Sequence, residues 1–225
     1  MNALRTIDIN ADLGEGGAHD AELLDLVTSA NIACGGHAGS EEIMRRTIQL
    51  AMARGVAIGA HPGYEDRENF GRREMDLPLE EVTALVERQV SLLADLAHDG
   101  GARLHHVKPH GALYNQASRD ALLAAAVVDG VMRVSRGLII YAMPHSELAK
   151  AARSAGMTVW AEGFADRRYR DDGSLVARSE AGAVIEDVGE AVSQAIQLAE
   201  SGNIQTICVH GDGSNALNFL RAIRA

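Results

Sequence analysis

Apolar and polar positions alternate near the start of the chain, where Ile7, Ile9 and Ala11 are interleaved with Asp8, Asn10 and Asp12. A period of two predicts a strand over 6–12 with three polar side chains on one face. Leu13-Gly14-Glu15-Gly16-Gly17 breaks it, and a helix is expected over 20–27. The next strand, 29–34, is closed by Gly35-Gly36-His37, and Ser40-Glu41-Glu42 reads as a capped start for a helix running to Arg54. A third strand over 56–60 is closed by His61-Pro62-Gly63, and a charged loop fills 64–78. Helical spacing covers 79–97, with Glu80 and Glu81 in the first turn, where the helix dipole favours them.

In the segment His105 to Asn115, residues His106, Lys108 and His110 fall at i, i+2 and i+4 and share one face if extended. Pro109 has no N–H for a ladder, so the strand ends near Lys108, and His110 and Gly111 are expected to begin a loop. A helix over 120–134, a strand over 137–143, a short helix over 146–154 and a strand over 158–164 follow. Residues 168–179 are charged and without periodicity, a candidate lid. A helix over 187–200, a strand over 204–209 closed by His210-Gly211-Asp212, and a last helix complete the chain.

Seven strand–helix units in alternation predict a parallel sheet. Buried parallel strands usually read as continuous apolar runs, yet Asp8/Asn10/Asp12, Ser29/Asn31 and His106/Lys108/His110 put polar side chains on one face. A polar inner face suits a closed β/α barrel of seven strands, one domain over 1–225, with a wet mouth. An open doubly wound sheet is the alternative. Six of seven strands end in a potentially reactive residue: Asp12, His37, His61, His110, Asp166 and His210. A barrel with its site at the C-terminal face requires such a ring.

Charge and composition narrow the chemistry. The chain carries 21 basic and 31 acidic residues, hence −10, which disfavours nucleic acid and anionic membranes as partners. No apolar run long enough for a membrane span and no signal-peptide pattern is present, and Cys34 and Cys208 lie in apolar strand-like runs, as free thiols do in a reducing, cytoplasmic setting. Walker-type, G-x-S-x-G, CxxC and HExxH motifs are missing. Histidines at strand ends suit proton transfer or a divalent metal. Asp12, His61 and His110 are candidate metal ligands, and Asp12 and Glu15 together could be metal ligands, a general base or loop anchors. Lys108 is the most informative residue, because a buried ammonium needs a partner. Asp12 and Glu162 are the candidates, and an oxyanion clamp is the functional reading. Asn31, Arg67, Arg72, Arg73, Glu162, Asp166, Arg167 and His210 are candidate substrate contacts. Of the adjacent pair His105 and His106, only His106 can join Lys108 inside, and His19, His98 and His145 read as surface or capping residues.

The stretches Asp8 to Glu15, Ser29 to Gly39, Ile58 to Tyr64, Phe70 to Arg73, His106 to Asn115, Glu162 to Arg167 and Cys208 to Asp212 resemble the LamB/YcsF family, whose members are the A subunit of the prokaryotic 5-oxoprolinase. The resemblance runs from about residue 6 to about residue 218. It implies a seven-stranded β/α barrel of the glycoside hydrolase/deacetylase-like type and ATP-dependent opening of 5-oxo-L-proline to L-glutamate. It also implies partner subunits B and C. The activity so implied gives Asp12, His61, Lys108 and His110 catalytic roles. Glu15, Asn31, His37, Arg72, Glu162, Asp166 and His210 become substrate contacts. ATP is bound with or on a partner, and a divalent metal is an open expectation. Two further readings are a metal-dependent deacetylase or amidohydrolase, and a substrate-delivery subunit without activity of its own. The chain departs from the family pattern at Gly36, where a bulky aromatic is usual, and at Ser40, where an Asp is usual.

Overall fold

The computed structural model describes residues 6–178, 180–210 and 215–224; Ser179 of the expected lid and Gly211-Asp212 of the last strand-end motif lie outside them. Seven parallel strands close into a barrel in chain order: β1 (Asp8–Leu13), β2 (Ser29–Ala33), β3 (Ala57–His61), β4 (His106–Val107), β5 (Ile139–Ala142), β6 (Val159–Phe164) and β7 (Thr206–Cys208). β7 pairs back onto β1 through Asp8–Thr206, Ile9–Ile207 and Asn10–Cys208, so closure replaces the open-sheet alternative. Around it lie α1 (Asp20–Leu24), α2 (Glu41–Arg54), α3 (Leu79–Asp99), α4 (Gly111–Arg119), α5 (Ala121–Val134), α6 (Glu147–Ser154), α7 (Val188–Glu200) and α8 (Ala216–Arg224). None of the described helices is long and apolar enough to cross a membrane.

The outward faces of the strands and the inward stripes of the helices form one apolar core, with Leu13, Ile32, Leu93, Leu113, Ile140 and Leu148 fully buried. The barrel interior is polar, as the alternation predicts. At its base, Ser29 and Thr206 hydroxyls donate to Asp8 (2.6 Å each) and Tyr141 adds a third bond at 3.2 Å. Above lie Asn10, Asn31, His106 and Glu162, and above those Asp12, His61 and Lys108. The layering requires a small residue opposite His106. Gly59 supplies it, since a Cβ there would stand 2.0 Å from His106 Nε2.

Helix starts follow the caps in the sequence. Ser40, Asp120, Ser146 and Asp187 each accept a backbone N–H of the first turn. Two expectations need correction. Gly111 opens the helix α4 rather than a loop, because its φ of +51° turns the chain directly off β4. Of the expected lid over 168–179, the described residues 168–178 are not structureless. Tyr169 pairs with Leu175 and Arg167 with Val184, and Arg170 N–H donates to Ser174 O at 2.8 Å around Asp172-Gly173. Gly173 has φ +81°, so this Asp-Gly pair is a hairpin signal that lack of periodicity hid.

Candidate active site

The strand tips and the loops after them enclose a cavity of about 450 Å³, lined by Asp12, Glu15, His61, Lys108, His110, Arg167 and His210, with Arg72 and Arg178 at its rim. Lys108 is carried past the end of β4 by one more ladder bond, its N–H to Ala60 O at 3.0 Å, before Pro109 ends the pairing. Its ammonium lies 3.0 Å from Asp12 Oδ1 and 2.9 Å from Glu162 Oε1, the two partners expected. It also donates to Asn10 Oδ1 at 3.3 Å and to Cys208 Sγ at 3.0 Å. Burial works against its charge, but Asp12, Cys208 and Glu162 outweigh burial and hold Lys108 well above the ordinary lysine value. Burial likewise opposes ionisation of Asp12, yet His61 and Lys108 keep its carboxyl well below the usual range. The floor of the cavity is therefore an ion pair with a second carboxylate behind it.

The histidines form a cluster on the other side of Asp12. His61 Nε2 is 3.4 Å from Asp12 Oδ2 and 2.9 Å from His110 Nδ1. His61 Nδ1 is 2.7 Å from Lys108 O, and His110 Nε2 is 2.9 Å from Phe70 O. His37 stacks flat on His110, ring centroids 3.6 Å apart, and its Nε2 meets Glu15 Oε1 at 3.0 Å. Burial lowers His37 to about 3 and pushes His110 well below the usual imidazole value. For His61 burial pulls the same way, but Asp12 and Glu15 reverse it and raise the ring. Phe70, the acceptor for His110, is the one non-glycine described residue with positive φ, +54°. Strain of this kind persists where surrounding contacts over-determine the backbone, commonly at functional sites.

Eight expected site residues line the cavity: Asp12, Glu15, His61, Arg72, Lys108, His110, Arg167 and His210. Four others stand behind its wall, which makes them positioning groups instead of direct contacts. Asn31 donates to Asp12 Oδ1 (2.8 Å) and Asn10 Oδ1 (2.7 Å), and its oxygen meets His106 Nε2 at 2.7 Å. His37 backs Glu15. Glu162 holds Lys108 and accepts from Tyr114 OH at 2.9 Å. Asp166 grips His210 Nδ1 at 2.9 Å and its backbone N–H at 3.2 Å.

Arg67 does not face the cavity: its guanidinium donates to Gly35 O and Gly39 O, both 2.7 Å, and clamps the β2–α2 loop. Arg73, itself exposed, reaches the buried Asp66 carboxylate at 3.6 Å. His106 turns inward as expected, while His105 packs on Trp160. His19, His98 and His145 are at the surface. Cys208, read as a plain core thiol, touches Lys108, and Tyr114 was missed because α4 was missed.

Comparison with known proteins agrees with this architecture. The LamB/YcsF family model matches residues 7–225. A lactam utilization protein from Thermus thermophilus is 40% identical, with a TM-score of 0.91 over 98% of this chain and 95% of that one. At the level of fold alone, the catalytic domain of a peptidoglycan N-acetylglucosamine deacetylase from Eubacterium rectale is similar (10% identity, TM-score 0.52, 99% of this chain and 84% of that one). A GH113 β-1,4-mannanase is similar to the same degree (10% identity, TM-score 0.54, 92% and 88%). With the family model matched over nearly its whole length and a 40% identical relative of the same barrel fold, the chain belongs to the LamB/YcsF family.

Proposed function

We propose that this chain opens a five-membered lactam, 5-oxo-L-proline, to L-glutamate, coupled to ATP hydrolysis and working with B and C partner subunits. The observation that carries the reading is the Lys108 ammonium, fixed between Asp12 and Glu162 at the floor of a cavity in a chain related to a lactam utilization protein. A role in lactam utilization follows from the family. The substrate, the ATP coupling and the subunits are the finer part of the proposal.

An unactivated lactam is a poor electrophile, and ATP supplies the activation by phosphorylating the amide oxygen. Lys108 meets negative charge growing on that oxygen, in a site where its charge needs no reorganisation. Asp12, held ionised, orients the attacking water. The arginines lining the cavity, Arg72 and Arg178 at the rim and Arg167 in the wall, fit the substrate carboxylate and phosphate groups, which guanidinium binds in a bidentate manner. No glycine-rich phosphate loop is present in the sequence, in keeping with nucleotide being held partly by a partner.

The test is coupled turnover of ATP and 5-oxoproline with all subunits present. Lys108→Met/Glu162→Gln removes the ammonium and one of its two carboxylates together. We expect a loss of about 10²–10³-fold in kcat for the variant. Unchanged turnover by a folded variant removes Lys108 from the chemistry, and no 5-oxoproline turnover by the wild-type assembly overturns the reading.

A further inference from the structure

The protons of the histidine cluster can be counted. Lys108 O and Phe70 O are carbonyls and only accept, so the 2.7 Å contact assigns a proton to His61 Nδ1 and the 2.9 Å contact assigns one to His110 Nε2. In neutral rings, His61 Nε2 and His110 Nδ1 then carry lone pairs, and these two atoms face each other at 2.9 Å. Two lone pairs do not approach so closely unless something positive lies between them. Carboxylate oxygens converge on the same point: Glu15 Oε1 is 3.3 Å from His110 Nδ1 and 3.7 Å from His61 Nε2, and Asp12 Oδ2 is 3.4 Å from His61 Nε2.

We infer that His61 Nε2, His110 Nδ1 and Glu15 Oε1 hold a divalent transition-metal ion of the zinc class at the mouth of the barrel. Two imidazoles and a carboxylate are a donor set that zinc and its neighbours accept. Each imidazole already gives its second N–H to a backbone carbonyl, the outer contact that fixes tautomer and orientation in metal-bound histidine. His37 Nε2 also lies in the cluster, with the four donor atoms of Glu15, His37, His61 and His110 within 4.8 Å of one another. Its Nδ1, however, has no hydrogen-bond partner among the described residues. A proton left there would be buried and unpaired, so His37 keeps its proton on Nε2 and donates it to Glu15. It is the holder of a ligand, and the fourth position stays open. That position faces the cavity, because Asp12, Glu15, His61 and His110 line it and His37 does not. Three ligands and an open place are the pattern of catalytic zinc, whose bound water loses a proton near neutral pH.

This inference rests on the cluster itself and not on the choice of lactam, so it is tested without substrate. Chelator-treated full-length protein is titrated with Zn²⁺ by calorimetry and with Co²⁺ by visible absorption. One equivalent per chain and intense cobalt bands of a four-coordinate N/O site are expected. His110→Ala and Glu15→Gln should each weaken binding at least about 10-fold, and His37→Phe about 10–100-fold. Arg72→Ala, on the same rim, should bind as the wild type does. Binding that survives His61→Ala/His110→Ala, or no saturable binding to the wild-type chain, overturns the inference and leaves a shared proton between the rings. The wild-type cobalt spectrum decides the matter even if a variant fails to fold. Failure of 5-oxoproline turnover alongside one-equivalent metal binding would sink only the lactam reading.

Discussion

At the scale of single residues, Lys108 and its carboxylates carry most of the site's electrostatics. Replacing Lys108 alone with Met would leave Asp12 and Glu162 buried without their cation. A loss of about 3–5 kcal/mol in folding stability is expected, measurable by urea denaturation. Adding Glu162→Gln should recover part of it. Gly59 is a steric counterpart. Gly59→Ala sets a Cβ 2.0 Å from the His106 ring, with the whole barrel packed around it. Its stability loss should reach the upper end of about 1–3 kcal/mol, read from the same denaturation midpoint.

Asp166 gives a pH signature. Burial opposes its ionisation, but the charge and hydrogen bonds of His210 prevail and lower the carboxyl below its ordinary value. A depressed folded-state value contributes stability above the unfolded value, about pH 4, and loses it as pH falls through the folded value. The stability difference between wild type and Asp166→Asn should therefore be largest at neutral pH and shrink in acid. A difference that grows on acidification would contradict that sign.

At the scale of elements, caps and turns account for what was readable and for what was not. Asp120 accepts from the N–H groups of Leu122 (2.8 Å) and Leu123 (3.1 Å), and Asp120→Ala should remove about 1 kcal/mol, seen in thermal or urea unfolding. The helix just before it, α4, escaped prediction because its entry depends on one glycine at φ +51°, a conformation no periodicity announces. The hairpin over 168–178 is held to the barrel through Arg167 Nη2 to Val176 O at 2.6 Å, Phe164 N–H to Tyr169 OH at 2.7 Å, Arg168 N–H to Ala183 O at 3.0 Å and the Arg168–Glu190 ion pair, while its Asp172-Gly173 tip lies at the surface. Gly173→Val strains its turn while a Cβ there meets nothing within 4 Å. Faster proteolysis within 168–178, with the global unfolding midpoint shifted by no more than about 0.5 kcal/mol, is the expected outcome.

At the scale of the molecule, closure brings distant strand ends together. Asp8 on β1 accepts from Ser29 on β2, Tyr141 on β5 and Thr206 on β7, tying the base of the barrel. Asp8→Ala leaves several donors without an acceptor, and about 3 kcal/mol of stability should be lost, with weaker hydrogen-exchange protection in β1, β2 and β7. The alternation of polar and apolar residues by itself determined the polar lumen, because side-chain direction in a strand depends only on position, and the succession of strand and helix units determined the parallel order. It also picked out Asp12, His61, Lys108, His110 and His210 as strand-end residues. Tertiary structure alone decided that Asn31, His37, Glu162 and Asp166 stand behind the cavity wall while Glu15 and Arg72 reach it. It alone set two imidazole nitrogens face to face. Such facts depend on how far each strand is staggered against its neighbour and on which carbonyl a ring meets, and local pattern carries neither.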